Sequence, residues 1–229
     1  MAEALPRSRM TIPYITLRHG EEPSEELAPT AQLVVRPGRL GIRYLWESRE
    51  DRDVRGVLWA RIPQQLDRDG RPVGAPRWAY VHPVRQRRCM LLQRCQVCGG
   101  RADRTDAGYL YLAQAPEGVT GLLRPEMFEG HETAQPPVCA VHAQEAVKRC
   151  PPLVEGHVVL RAAETRLHGV LGTRYFLHSS GAVMEVPGQD DTSAEAVPYR
   201  DAEAIRWVLA TSLVRKLRGI TITDLGELL

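Results

Sequence analysis

Two short pairs of metal-binding residue types constrain this chain more than any other feature of its sequence. Cys95 and Cys98 are separated by two residues, and Cys139 and His142 repeat that spacing further along the chain. The spacing lets both side chains of a pair face one ion, and four thiolate or imidazole ligands complete the tetrahedral site that Zn²⁺ prefers. We therefore predict one structural Zn²⁺ ion held by these four residues, with no coordination position left for a reacting molecule.

The residues around each pair favour the turns that such a site needs. Gly99 and Gly100 follow Cys98 and supply the backbone freedom of a tight knuckle, in which amide groups point back at the thiolates. The alanine-rich stretch after Cys139 predicts a helix that stops at Pro151. A knuckle, intervening strands and then two ligands at the start of a helix follow the order of a treble-clef zinc module, which this stretch resembles.

Three other residues stay open as replacement ligands. If 139–150 forms one helix, Cys150 lies roughly 16 Å from Cys139 along the axis, too far for both to bind one ion. Cys150 is therefore expected to be a small buried apolar residue. Cys89, six residues before the knuckle, is the reserve ligand, and His131 is the third alternative.

Length and composition set broad limits on what the chain can be. At 229 residues, it can form one large domain or two small ones. No stretch approaches the roughly 18 apolar residues of a membrane span, and the first ten residues lack the apolar core of a secretory signal. An odd number of cysteines, with two metal-type pairs among them, fits a reducing compartment. We therefore expect a cytoplasmic protein.

A basic stretch precedes and surrounds the knuckle. Its arginines, together with Trp78 and Tyr80, suit a surface that binds phosphates and stacks bases. The net charge of +2 is too small to imply nucleic acid by itself. Lysine occurs only at Lys148 and Lys216, so 28 of the 30 basic residues are arginine, and asparagine is absent; both facts also fit the codon bias of a high-GC bacterial genome. The predicted nucleic-acid-binding residues are Arg85, Arg87, Arg88, Arg94 and Arg101.

The rest of the chain predicts an α+β fold of antiparallel strands around the zinc module. Short runs rich in Val, Ile, Tyr and Trp, separated by Gly, Pro and Asp, predict strands before and after the module. Ile205, Leu209, Leu213 and Leu217 recur every four residues and predict a C-terminal amphipathic helix. The expected regions, which could also form one integrated domain, are 1–88 (β-rich), 89–152 (zinc-binding) and 153–229 (strands and the helix).

Two enzyme classes are alternatives to a purely structural metal. Some treble-clef proteins of the HNH family are nucleases with a catalytic histidine between the ligand pairs, where this chain offers only His131 and no Asp-His pair. Arg18-His19-Gly20 resembles the motif of histidine-type phosphatases, in which the histidine becomes phosphorylated and the arginine holds the phosphate. The short strands and loops predicted after it do not fit the alternating strands and long helices of that family.

One group of proteins combines these features. Arg87-Arg88-Cys89, the Cys95–Gly100 knuckle, Pro136–Cys139 and Arg149-Cys150-Pro151 are similar to segments of small actinobacterial proteins, some of them phage-associated. The resemblance covers about residues 10–185 and implies a zinc module and a high-GC genome, but it implies no activity. Our leading hypothesis from the sequence is therefore a non-enzymatic, zinc-stabilised protein that binds a macromolecular partner, nucleic acid or protein, and has no catalytic residue.

Overall fold

The computed structural model describes residues 11–22, 32–116, 122–187 and 195–228, in which short strands outnumber helices. The strands of these residues, in chain order, are β1 (Thr16–Arg18), β2 (Leu33–Val35), β3 (Ile42–Tyr44), β4 (Leu58–Trp59), β5 (Pro76–Val81), β6 (Arg104–Thr105), β7 (Gly108–Gln114), β8 (Glu132–Thr133), β9 (His157–Leu177), β10 (Val183–Glu185), β11 (Val197–Pro198) and β12 (Val208–Ile222). The α-helices are α1 (Pro83–Leu92), α2 (Ala140–Arg149) and α3 (Pro151–Glu155). Most strand pairs are antiparallel, which confirms the α+β class. No helix in the described ranges is both long and apolar enough to span a membrane.

The chain divides into two compact units that are interleaved in sequence. The first unit comprises the described residues of Met1–Ile15, Arg88–Leu167 and Arg215–Leu229, and the second those of Thr16–Arg87 and His168–Val214. Because β9 and β12 each contribute residues to both units, neither unit is a continuous piece of chain.

The first unit is organised by β7. This strand pairs antiparallel with the first part of β9, from Tyr109 opposite Ala162 to Gln114 opposite His157, and with the short strand β6. Strand β8 pairs with the later part of β12. The apolar side chains of β7, β9 and β12 form one core cluster with Phe128, which ends a short 3₁₀ helix; its buried members are Tyr111, Phe128, Val158, Leu160, Ala162, Leu217 and Ile220.

The second unit contains four sets of paired strands. Strands β2 and β3 form a hairpin, β1 pairs with β5, and β4 runs parallel to the first part of β12. Strands β10 and β11 pair antiparallel with the last part of β9. The buried residues of its core cluster are Leu33, Ile42, Tyr44, Leu58, Ala60, Tyr175 and Leu209.

Strand β9 is longer than its sequence indicates. The sequence shows separate strand-like runs at 157–161 and 175–177, but the strand is continuous over 21 residues. Glycine is required there because other strands pass close by. A Cβ at Gly169 would lie 2.1 Å from the carbonyl oxygen of Val197, and one at Gly172 would lie 2.1 Å from that of Leu209. Both glycines therefore serve close backbone approach within a strand.

The predicted C-terminal helix is wrong. Residues 208–222 form strand β12, preceded by a short 3₁₀ helix at Ala204–Trp207. A spacing of four residues fits one face of a helix, but it also fits one face of a strand, where every second side chain points the same way. The residues between the leucines decide the outcome, because Val208, Ala210 and Val214 are buried as well. A strand that is buried on both faces suits this near-continuous apolar run.

A buried polar cluster lies in the second unit. The side chains of Glu21 and Arg85 are both fully buried and form a two-point ion pair, with nitrogen–oxygen distances of 2.5 and 2.7 Å. His82 is also fully buried, and its Nε2 donates to the carbonyl oxygen of Pro63. Burial, assisted by the charge of Arg85, lowers the pKa of His82 to about 4. His82 is therefore neutral at pH 7, and Arg85 and Glu21 neutralise each other.

Helix α1 ends in an unusual way. Gln93, the first residue after it, has a φ of 51°, in the left-handed region that favours glycine or asparagine. Its side chain explains the exception, because the Gln93 oxygen accepts a hydrogen bond from the Tyr111 hydroxyl at 3.0 Å, and its amide donates to Thr165 Oγ1. The Tyr111 side chain is 1% exposed, so its hydroxyl needs a partner inside the protein.

We expect Gln93→Gly to destabilise the protein although it relieves backbone strain. The relief is worth about 1 kcal/mol. The substitution also removes two side-chain hydrogen bonds, from the Tyr111 hydroxyl and to Thr165, each worth about 0.5–1.5 kcal/mol. Chemical denaturation should therefore show a net loss in the free energy of unfolding of about 1–2 kcal/mol.

Arg39 provides the matched control for this prediction. It also has a left-handed φ, 58°, but its exposed side chain makes no hydrogen bond or ion pair within the described residues. Arg39→Gly should therefore raise the free energy of unfolding, by up to about 1 kcal/mol. Equal effects of the two glycine substitutions would show that the Gln93 side chain contributes nothing.

Candidate metal centre

The first ligand pair lies on a tight turn of the first unit. The amide of Cys95 donates to the carbonyl of Gly100 at 2.9 Å, and the amide of Gly99 donates to the carbonyl of Cys95 at 2.8 Å. Gly99 has a φ of 70°, which a residue with a Cβ adopts only under strain. The chain between Cys95 and Gly100 thus forms the predicted knuckle, with Cys95 fully buried and Cys98 exposed.

The second ligand pair is brought to the knuckle by the segment before α2. The amide of Val138 donates to Leu110 in β7 at 2.9 Å, and the carbonyl of Val138 accepts from the amide of Asp103 at 2.9 Å. The amide of Gln96 in the knuckle donates to the carbonyl of Pro137 at 3.0 Å. These bonds hold Val138, which is fully buried, between the knuckle and the sheet, and so fix the position of Cys139 next to it.

Cys139 is the residue that immediately precedes α2, and His142 lies in the first helical turn. The Cys139 carbonyl accepts from the amide of Ala143, so the helix begins directly at the ligand. The spacing of three residues places both side chains on one side of the helix start. A thiolate at this position also benefits from the partial positive charge of a helix N-terminus.

The four candidate ligand atoms lie close together. The sulfur atoms of Cys95, Cys98 and Cys139 and a ring nitrogen of His142 all lie within 4.8 Å of one another. His142 Nδ1 lies 3.0 Å from Cys139 Sγ and 3.8 Å from Cys95 Sγ, so Nδ1 is the ring nitrogen that faces the thiols. A regular tetrahedron with Zn–S and Zn–N bonds of ordinary length has edges of about 3.5–3.8 Å. The arrangement is therefore compatible with a single metal ion.

The environment of Cys95 shows what the site needs electrostatically. Burial raises the pKa of the Cys95 thiol to about 12, although the backbone amides of Cys98, Cys139 and Val97 act in the opposite direction. Amide groups suited to a thiolate thus face the sulfur, but no cationic side chain among the described residues lowers its pKa. A bound cation would supply a positive charge, and binding would release the proton of the thiol.

The structure also shows a support for the knuckle that the sequence analysis missed. The amides of Tyr14 and Ile15 donate to the carbonyls of Val97 and Gln96, at 2.9 and 3.2 Å. The Tyr14 ring covers Gly99 so closely that a Cβ there would lie 3.2 Å from it. The only sequence signal for this contact is the apolar run at 12–17, which does not indicate its partner.

The three alternative ligands lie outside this group. Within the described residues, Cys89, Cys150 and His131 do not belong to the cluster of potential ligands. Cys89 is fully buried and its thiol faces the carbonyl oxygen of Cys95 at 3.8 Å. Cys150 is half-buried at the end of α2, so it is less enclosed than we expected. His131 is exposed, although partial desolvation of its imidazole lowers the pKa of that group.

The predicted basic residues differ in their accessibility. Arg85 is fully buried in the ion pair with Glu21, so its charge is not available to a phosphate, and we leave it out of the surface. Arg87 is half-buried, with its guanidinium 4.5 Å from the centre of the Trp59 ring. Arg88 and Arg101 are exposed, and Arg94 is half-buried.

The phosphatase-like motif lies in an unsuitable environment. Arg18 is 3% exposed at the end of β1, whereas His19 is exposed and lies 3.6 Å from Glu22. Burial, together with the charge of Arg85, lowers the pKa of the Arg18 guanidinium. An arginine that binds a substrate phosphate must be accessible from solvent, and this side chain is not.

Compared with protein-family models, curated proteins and solved structures, the chain matches none of them. The resemblance to actinobacterial proteins therefore stays a prediction from the sequence.

Proposed function

We propose that this chain is a non-enzymatic binding protein in which one Zn²⁺ ion stabilises a scaffold for a macromolecular partner. The observation that carries the proposal is the convergence of three sulfur atoms and one imidazole nitrogen within 4.8 Å. Three thiolates and one imidazole form a typical ligand set of structural zinc sites. Because four protein ligands fill a tetrahedron, no position remains for the water molecule that a catalytic zinc ion would activate.

We further propose that the metal centre is a treble-clef-like module. The Cys95–Gly100 knuckle is followed by the β6–β7 hairpin, and the second ligand pair opens α2. The apolar environment supports a structural role for the ion, because one buried cluster surrounds the ligands. Its members are Cys95, Leu110, Val138, Ala143 and Val159. In such an arrangement the metal replaces part of the apolar core that a small module lacks.

The test begins with metal analysis of the purified full-length protein. We expect one zinc ion per chain, retained through gel filtration and released by a strong chelator. We also expect no cleavage of labelled DNA or RNA with added Mg²⁺ or Mn²⁺, and no hydrolysis of an aryl phosphate. His131→Ala and His19→Ala are the control variants, which should behave like the wild type in both assays.

Three results would contradict the proposal. A protein that folds fully without metal would show that the cluster has no structural function. Nuclease activity that disappears in His131→Ala would favour the HNH-type alternative. Phosphate release that disappears in His19→Ala would favour the phosphatase alternative.

A further inference from the structure

Two arginines lie directly opposite each other at the base of the knuckle. Arg94 and Arg101 form an isolated antiparallel bridge, the last backbone pairing before the chain turns through the ligands Cys95 and Cys98. Residues opposite each other in an antiparallel pair project their side chains on the same face, close together. Arg101 is exposed, and Arg94 is half-buried with one guanidinium nitrogen donating to the carbonyl of Gly99 at 3.2 Å.

The positive charges of this pair have no carboxylate partner among the residues that the structure describes. In the part of the chain that the structure describes, neither Arg94 nor Arg101 forms an ion pair. The acid closest to them in sequence, Asp103, is 2.7 Å from the guanidinium of Arg161, which is itself 7% exposed. Asp103 therefore balances a buried charge and not the surface arginines. One of the two aspartates that alternate with the arginines in this stretch, Asp103, is thus occupied elsewhere, while the other, Asp106, is exposed.

A third arginine extends this basic surface. Arg104 is exposed in β6, and its guanidinium lies 5.1 Å from the centre of the Tyr109 ring, which orients it. We name Arg94, Arg101 and Arg104 the knuckle arginines. Like charges directly opposite each other destabilise a strand pair, so the arrangement has a cost in the free protein that an anionic partner would remove.

We propose that the knuckle arginines bind the phosphate backbone of a polynucleotide, so that the metal-stabilised turn serves as a nucleic-acid contact. This inference rests on the proposed function and names the partner class. Guanidinium groups bind phosphate oxygens through paired hydrogen bonds, and a polynucleotide offers closely spaced phosphates to adjacent arginines. Tyr109 is half-buried beneath Arg104 and so offers no free ring for base stacking, which points to backbone contact without sequence preference.

Salt-dependent binding of the full-length, metal-containing protein tests this inference. Fluorescence anisotropy is measured with a labelled DNA duplex, a DNA single strand and an RNA single strand, at salt concentrations between about 50 and 200 mM. We expect the logarithm of the association constant to fall linearly as the logarithm of the salt concentration rises, and we expect no dependence on base sequence. For Arg94→Gln/Arg101→Gln, we expect the slope with the duplex to fall by about 2 and the affinity near 0.1 M salt to fall on the order of 10–100-fold. The comparison of the three probes identifies which polynucleotide is preferred.

Two variants control for folding and for net charge. Arg94→Lys/Arg101→Lys keeps both charges and should keep most of the salt slope. Arg149→Gln/Arg166→Gln removes two charges from the same unit, but these arginines are ion-paired with Glu145 and Glu164 and should not change binding. Zinc content is measured for every variant, and each should retain one ion per chain.

Several results would overturn the inference. If the zinc-loaded, folded wild type binds no polynucleotide, or if the Gln and control variants weaken binding equally, the knuckle arginines are not the contact and the proposed zinc scaffold still stands. Equally tight binding of poly-glutamate would show that the partner is an acidic protein. A protein without bound metal would overturn both the inference and the proposed function.

Discussion

Cys139→Ser is expected to abolish metal binding and to unfold the first unit. Cys139 contributes one of the four ligand atoms, and it is also the residue at which α2 begins. Structural zinc in small modules contributes about 10–16 kcal/mol of apparent binding free energy at pH 7, and this energy is also folding energy. This binding free energy is as large as the whole free energy of unfolding of a typical domain, which is roughly 5–15 kcal/mol. The loss of one ligand should therefore remove the native state of this unit and not merely weaken it.

Metal analysis and hydrogen exchange would measure this result. The variant should contain less than one zinc ion per chain, and the amides of 95–100 and 138–149 should lose their protection. Cys150→Ser is the matched control, because Cys150 lies eleven residues further along the chain and outside the ligand cluster. It should retain one ion and near-native protection. Native protection in Cys139→Ser would refute the site, and metal loss in Cys150→Ser would refute the ligand assignment.

Arg85→Met is expected to lower the free energy of unfolding by about 3–5 kcal/mol, the largest effect that we expect of any substitution away from the candidate metal centre. Glu21 is fully buried and would lose its two-point ion pair with the Arg85 guanidinium, although the amides of Arg18 and Gln65 would still donate to it. A carboxylate left in this position is strongly disfavoured, because burial removes its hydration. Chemical denaturation at pH 7 measures the change in the free energy of unfolding.

The pH dependence distinguishes a lost charge partner from lost packing. In the wild type, burial would raise the pKa of Glu21, but the hydrogen bonds from Arg85 and from the Arg18 amide outweigh it, and the pKa lies below its usual value. The ion pair therefore contributes stability above the unfolded-state pKa of about 4.3, which is lost as the pH falls through the lower folded-state pKa. Without Arg85 the pKa of Glu21 should rise, so the difference between wild type and variant should shrink in acid.

Two further variants complete this test. Glu21→Gln/Arg85→Met removes both charges and should be more stable than Arg85→Met alone, because no buried charge remains unbalanced. Arg206→Met breaks an exposed ion pair with Glu203 in the same unit and should cost less than about 1 kcal/mol. Equal losses in Arg85→Met and the double variant would mean that the side-chain volume, and not the charge, is what matters.

The clustering of the four candidate ligands could be predicted because the signals for it lie close together in the sequence. Each ligand pair is defined by a spacing of three, and the turn and the helix that carry the pairs have their own signals in Gly99 and Pro151. The short strands β2 to β5 were predicted for the same reason, since turn residues separate their apolar runs. Such features need no knowledge of which distant segments meet.

The features that could not be predicted depend on distant partners. Whether 208–222 becomes a helix or a strand is decided by burial on both faces, which the four-residue spacing of its leucines does not reveal. The partners of Arg85 and Arg161 lie 64 and 58 positions away, and in an arginine-rich sequence nothing marks these two as buried. Surface arginines and core arginines therefore look alike in the sequence, and only the fold separates Arg101 from Arg85.

The interleaving of the two units limits how this protein can be divided or inherited. The first unit, which contains the candidate metal centre, is assembled from three separate stretches, within Met1–Ile15, Arg88–Leu167 and Arg215–Leu229. Any single fragment of the chain that contains the whole first unit must also contain the second unit. The first unit therefore cannot be expressed by itself as one continuous fragment. Gene fusion or recombination that moves the first unit would thus have to move the second unit with it, and limited proteolysis at one site would release neither unit intact.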